Sequence, residues 1–263
     1  MPGQVEGPEA LAMHLQELAP ELWIVAGETV PFLGLPFPTR MTVVRLRDGG
    51  LWVHSPVRGT PERFAAVDGL GEVRHLVAPN QIHHLFLAEW RERYPEATCH
   101  GTRALLDKRA DIAFDAALTD DAVLPWDGEI DSLLFRGSAV MEEAVFFHRA
   151  SRTLIVADLV ENFAPQSLNG WQRALADAAG ILAPNGRTPI DWRLSFLFGR
   201  AEARACLAQL RAWRPERIVM AHGEVVEHDA GSFLDRSFRW LSHRRRPWPS
   251  ATEAIRLRRS QEP

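Results

Sequence analysis

The stretch VAPNQIHHLFL, Val77 to Leu87, decides how this chain is read. A short apolar run, VRHLVAP, meets Pro79 and Asn80, and then two adjacent histidines open a segment of different period. From Leu85 onward the apolar residues Leu85, Leu87, Trp90 and Tyr94 fit one helical face, which Pro95 terminates. The expectation is a buried strand, a turn carrying His83 and His84, and a helix. Polar side chains that bind metals or move protons stand at the strand's carboxyl end.

Upstream, ELWIVAG, MTVVRLRDGG and LWVHSPV are short, rich in Val, Ile and Trp, and punctuated by Gly and Pro. They read as consecutive strands after a short amino-terminal helix, with RDGG as the hairpin turn between Val44 and Trp52. TPERFAAVDGL supplies a helix with Thr60 as N-cap and Pro61 at the first helical position. Downstream, EIDSLLFRG, EAVFFHR and RTLIVADLV read as strands, and RASR joins the last two. Helices are expected within 167–179 and 200–213. ERIVMAHGE is a late strand running into His-Gly, and DAGSFLDRSFRWLSHRR a last amphipathic helix. This mixture of β meander and alternating strand and helix predicts an α/β fold in a single domain over 1–263, with its core at about 20–243.

Composition narrows the function. Apolar residues make up 46% and charged residues 24%, which places the chain among ordinary globular proteins and away from disorder. A net charge of −4 gives no overall attraction to nucleic acid or to an anionic membrane. The basic run RWLSHRRRPW, Arg239 to Trp248, reads as a helix carboxyl end complementing the helix dipole before a proline stop. Two cysteines, Cys99 and Cys206, exclude a disulfide framework and a Cys-rich zinc module. The first residues lack a basic region ahead of an apolar stretch, and no apolar run of about 18 residues occurs. A cytoplasmic protein that takes a small-molecule substrate, with no nucleic-acid or membrane partner, is the expectation; the oligomeric state is not legible.

Four of the expected strands end in polar residues of the same kind. LWVHSP ends at His54, HLVAP leads to Asn80, His83 and His84, RTLIVAD ends at Asp158, and RIVMAH ends at His222. In α/β architectures ligands gather at strand ends, where loops vary without disturbing the core. Each residue alone has an ordinary explanation: a lone histidine is usually a hydrogen-bonded boundary residue, and Asp158 has the chemistry of a turn cap. Their joint occurrence carries the functional reading, since imidazole and carboxylate are what zinc and iron take when thiolates are absent.

With these residues in view, the chain resembles the metallo-β-lactamase superfamily, from about Leu22 to His222. The resemblance implies a four-layer αββα sandwich. In that superfamily the first turn reads H-x-H-x-D-H, a middle strand ends in GD, and a late histidine lies in GHG. Here His84 falls on the last histidine of the turn, Asp158 in VADLV on the bridging aspartate, and His222 in MAHGE on the late histidine. Pro79 and Gln81 fall on the first two histidines and His83 on the motif's aspartate, so half of the usual first metal site is gone. RGSAVMEEAVFF, with Glu142 and Glu143, replaces a histidine-bearing turn, and His54 stands where the meander normally ends in aspartate. FLGLPFPTRMTVVRL, APNQIHHLFL and MEEAVFFHRASRTLIVADL most resemble a bacterial and plant branch described only as a domain of unknown function.

A binuclear site needs about seven protein ligands, and the matched positions no longer supply them. The first hypothesis is therefore a mononuclear hydrolase of an ester, thioester or lactone. Its metal ligands come from His83, His84, Asp158 and His222, its base is Glu142 or Glu143, and His54 and Asn80 orient the ligands. The ion is one divalent metal, zinc ahead of iron. The second hypothesis keeps the fold without a metal, as a binding protein; the third is non-heme iron redox chemistry. Other polar residues read as structural: His75 packs in a strand; His14, His100, His228 and His243 lie on the surface; and Cys99 is a small buried residue. Glu89 and Arg93 form a surface pair at helical spacing. Trp126 and Trp192 sit in loops that line a pocket, and FLGLPFPTR is either a pocket-shaping or a packed loop.

Overall fold

The computed structural model describes residues 15–32 and 34–242. Seven strands form the first sheet in sequence order: β1 (Leu15–Ala19), β2 (Leu22–Phe32), β3 (Leu35–Arg45), β4 (Gly50–His54), β5 (Glu72–Ala78), β6 (Thr98–Thr102) and β7 (Ala116–Leu118). The second sheet has the order β11-β10-β9-β8, from β8 (Ile130–Phe135), β9 (Glu143–His148), β10 (Thr153–Ile155) and β11 (Arg217–Val219). Strands β1 to β4 run as an antiparallel meander and β4 to β7 are parallel. In the second sheet β10 is antiparallel to β9 and parallel to β11.

Helices α1 (Pro61–Asp68), α2 (Leu87–Arg93) and α3 (Arg103–Lys108) belong to the first half of the chain. The second half carries α4 (Gly170–Ala179), α5 (Ile190–Ser195), α6 (Arg200–Trp213) and α7 (Ala230–Ser237). Side-chain alternation separates three apolar layers. Leu51 and Val53 face outward with Trp90 and Leu105 of α2 and α3, while Trp52 between them points inward to meet Phe146. On the second sheet Ile155 points inward, and Val145 and Leu154 pack outward against α6 and α7 through Leu207, Leu210, Phe233 and Leu234. The result is the expected αββα sandwich.

The signals behind the elements largely hold. Thr60 Oγ1 accepts from the Arg63 amide at 3.2 Å to cap α1, and Asp48 Oδ1 accepts from Gly50 N at 2.9 Å in the β3–β4 turn. Several readings are corrected. The described part of the expected amino-terminal helix, Leu15–Ala19, is strand β1. FLGLPFPTR is no loop: apart from Leu33, which lies outside the described residues, it forms the β2–β3 hairpin. Pro36 and Pro38 are tolerated there because β4 pairs with β3 only from Thr42 to Arg45. His100 is buried on β6 against Trp126, and Trp126 itself lies in the core between the sheets. Trp192 is buried within α5. Arg93 pairs with Asp68 at 2.8 Å rather than with Glu89, whose carboxylate accepts from Gly59 N. His14, His243 and most of the basic run lie outside the described residues.

Candidate metal centre

The carboxyl ends of β4, β5, β10 and β11 meet on one rim. His83, Asp158 and His222 each direct one ligand atom to a common point, all within 4.8 Å of one another. His83 Nε2 lies 3.1 Å and His222 Nε2 3.2 Å from Asp158 Oδ1. The two imidazole centroids are 5.1 Å apart.

Each of the three is held from behind. His83 Nδ1 lies 2.6 Å from Ser55 Oγ, the residue after β4, which adopts a left-handed φ of 52°. Asn80 fixes the loop: its Oδ1 accepts from Ile82 N and His83 N at 2.9 and 3.0 Å, while its Nδ2 donates to Asp158 Oδ2 and Glu143 Oε2 at 2.7 and 3.0 Å. Glu143, at the start of β9, takes amide hydrogens from Ala157, Asp158 and Leu159 at 2.8, 2.8 and 3.2 Å. The loop that presents Asp158 thus closes around a buried carboxylate. His222 Nδ1 lies 2.8 Å from Pro38 O, and the guanidinium of Arg40 donates to the carbonyls of Met220 and Gly223 on either side of it.

The second contact of His222 decides the chemistry. A carbonyl oxygen only accepts, so Nδ1 carries the ring proton and neutral His222 points a lone pair at the Asp158 carboxylate. Lone pair against carboxylate is repulsive unless a proton or a metal ion lies between. The donors fit a metal: two imidazoles and one carboxylate, each steadied by outer hydrogen bonds, match the ligands of open zinc and non-heme iron sites.

The electrostatics follow from burial and charge. Burial opposes ionisation of Asp158, yet the charge of His83 and the two imidazole contacts outweigh it, holding the carboxyl far below the usual range. Burial also opposes a charge on His83, and Asp158 overcomes this and raises it. Glu143 is pushed up to about 7 by burial, then by the Asp158 charge. His54, stacked on Trp52, is driven down to about 3 chiefly by burial and then by His83; it stands neutral beside the site with Nε2 unpartnered. Glu161 is held well above the carboxylate range, first by burial and then by the charges of Asp158, Asp191 and Glu143.

Of the residues expected from sequence, His83, Asp158 and His222 come together, with Asn80 bracing them and His54 adjacent. His84 does not join them. Arg109 donates to its Nδ1 at 2.6 Å, Asp111 orients that guanidinium, and the ring lies apart from the ligand group. Glu143 occupies a bracing position, its oxygens filled by four N–H donors. Glu142 is outside the group, its nearest cation being Arg136 at 4.0 Å. Ser55, Arg40 and the Pro38 carbonyl had no sequence signal, because their roles depend on pairing across 28 to 184 residues.

This architecture is that of the metallo-β-lactamase fold. It is similar to a metallo-β-lactamase from Pontibacter korlensis, with a TM-score of 0.59 and 14% identity over 87% of this chain and 98% of that one. It is also similar to FIM-1 from Pseudomonas aeruginosa, a metallo-β-lactamase in its mono-zinc form, with a TM-score of 0.61 and 6% identity over 87% and 94%. A flavodiiron protein from Giardia intestinalis gives a TM-score of 0.64 and 16% identity over 87% of this chain and 59% of that one. Within that fold, the chain belongs to the family described as Domain of unknown function (DUF4336), whose model matches residues 23–173. No curated protein matches the sequence. Among the described residues no helix is long and apolar enough to cross a membrane.

Proposed function

We propose that this protein is a mononuclear metal-dependent hydrolase, with His83, Asp158 and His222 as the protein ligands and zinc as the preferred ion. The observation that carries the reading is the pair of Nε2 atoms facing one carboxylate oxygen while Nδ1 of His222 is committed to Pro38 O. A bound divalent ion supplies Lewis-acid polarisation of a carbonyl and lowers the pKa of water to about 7.

The chain's own residues do the rest. Ser55 and the Pro38 carbonyl set the direction of the two rings, Asn80 and Glu143 fix the loop that presents Asp158, and His83 keeps that buried carboxyl ionised. Apolar residues surround the ligands: Phe37 meets His222 edge to face at 5.0 Å, Phe32 meets Phe37 at 5.5 Å, and Ile82 and Leu85 are exposed on the turn that carries His83. Such surroundings suit an ester, thioester or lactone with an apolar acyl portion.

The test is turnover of p-nitrophenyl and thioester acyl substrates of rising chain length by protein loaded with one equivalent of zinc. Activity lost in Asp158→Ala and His222→Ala, and kcat/KM rising with acyl length, is expected. Hydrolysis that survives in both variants would refute the assignment. Turnover that appears only with iron and an oxygen or thiol substrate would transfer the site to redox chemistry.

A further inference from the structure

Helices α4 and α5 lie side by side, Arg193 donating to the Ala179 carbonyl at 3.1 Å. Their inner residues Ala176, Trp192 and Phe196 are buried. Their outer sides are also apolar. Trp171 and Leu175 stand at i, i+4 on α4, Ile190 and Leu194 at i, i+4 on α5, and Leu197 and Phe198 form the turn that follows. All six are exposed, Leu194 at 72% and Phe198 at 95%. Exposed large apolar side chains gathered in this number at helical spacing mark an interaction face.

The amount of open surface indicates what covers it. Together the six side chains expose on the order of 700 Å² of apolar area, above the patch of about 300–600 Å² typical of a monomer. That is close to the roughly 800 Å² that each partner buries in a standard interface. The charges around the patch have both signs. Asp177, Asp191 and Arg200 form no ion pair within the described residues. In a two-fold contact one patch meets its own copy, so a rim with both signs satisfies itself, acid against base. An anionic bilayer would select a rim of cations alone.

We propose that the outer face of α4, α5 and the Leu197–Phe198 turn is the interface of an isologous homodimer. A second copy of this chain seals the aromatic and aliphatic stripe and pairs the rim charges. The interface stands independently of any metal at the rim.

Sedimentation velocity on the full chain from 1 to 100 μM tests it, with Leu194→Asp and Phe198→Asp beside wild type. Wild type is expected at twice the 29.6 kDa chain mass. Each variant should weaken association at least a hundredfold with an unchanged far-UV spectrum, since both side chains face solvent in one copy. Leu194→Ser serves if an aspartate variant aggregates. A wild-type monomer at 100 μM would overturn the proposal, as would a dimer that both substitutions leave intact. A monomer that co-floats with vesicles of phosphatidylcholine and phosphatidylglycerol would assign the face to a bilayer instead, and overturn it too.

Discussion

Replacing Glu143 separates a bracing role from a catalytic one. Glu143→Ala strands four donors: the amides of Ala157, Asp158 and Leu159, and Nδ2 of Asn80. An unsatisfied buried donor costs about 1–3 kcal/mol, so the gross loss is about 4–8 kcal/mol once water entering the space is allowed for. Against this, removal relieves a buried carboxylate whose pKa stands near 7 instead of 4.5. At neutral pH that relief is about 3 kcal/mol, taking about 1.36 kcal/mol per pKa unit. Hydrogen bonding wins, and the net loss should be about 1–5 kcal/mol, or about 2–15 °C in Tm for a chain of this size. Glu143→Gln has the opposite balance. With its carbonyl turned to the Oε2 position it keeps three of the four donors and sheds the charge, so it should lie within about 1 kcal/mol of wild type. Urea unfolding of the metal-free proteins at pH 7.5, with equal m values, measures both differences. If Glu143→Ala is as stable as wild type, or Glu143→Gln is as damaged as Glu143→Ala, the carboxylate does not anchor the loop. A Glu143→Gln enzyme that folds and binds metal but has no turnover would restore the carboxylate as the base.

Three further outcomes follow from the same geometry. His54 and His100 are buried with pKa values of about 3 and about 4, below the ordinary 6.5, so the unfolded chain binds more protons in acid. Their stabilising contribution is complete above pH 6.5 and shrinks as pH falls through 6.5 toward those values; it should cost about 4 kcal/mol between pH 7.5 and pH 5 in urea titrations, whereas a pH-independent urea midpoint would show these histidines to be solvated. Because the raised pKa of His83 favours a proton where the metal would sit, zinc binding should release up to one proton. Affinity should then fall by up to about tenfold for each unit that the pH is lowered, in calorimetry across buffers of different ionisation enthalpy, and release of none would contradict coordination through His83. Gly223 has φ of 90°, and a Cβ there would sit 2.1 Å from Asn162 O. Gly223→Ala should therefore lose about 2–4 kcal/mol and displace His222, seen as a lower Tm together with weaker metal binding; unchanged values would show that this turn has slack.

The strands and the rim were legible because local patterns produce them. Alternating and fully apolar runs, the Asp48–Gly50 turn, the Thr60 cap and the polar residues after β5, β10 and β11 all act over a few residues. Strand β6 escaped notice because Thr98–Thr102 carries Cys99, His100 and Gly101, which look like a polar loop until Trp126 and His75 are packed on them. The choice between His83 and His84 was not legible either. Adjacent residues in a turn point in different directions, and which one faces Asp158 is set by Ser55 on one side and Arg109 on the other. The family motif pointed to His84, and the hydrogen bonds point to His83. Glu142 and Glu143 posed the same problem: strand β9 begins at the second, so only that one turns into the core.

The most direct test of the metal centre is metal content by plasma mass spectrometry, on protein purified without a metal-affinity step, beside His83→Ala, His84→Ala and Asp158→Ala. About one equivalent of zinc or iron should be found in wild type and in His84→Ala, and none in His83→Ala or Asp158→Ala. No metal above background after incubation with zinc, manganese or iron would contradict the account, leaving a metal-free His83–Asp158 pair beside His222. Metal lost from His84→Ala but kept in His83→Ala would place the ligand on the wrong one of the two adjacent rings.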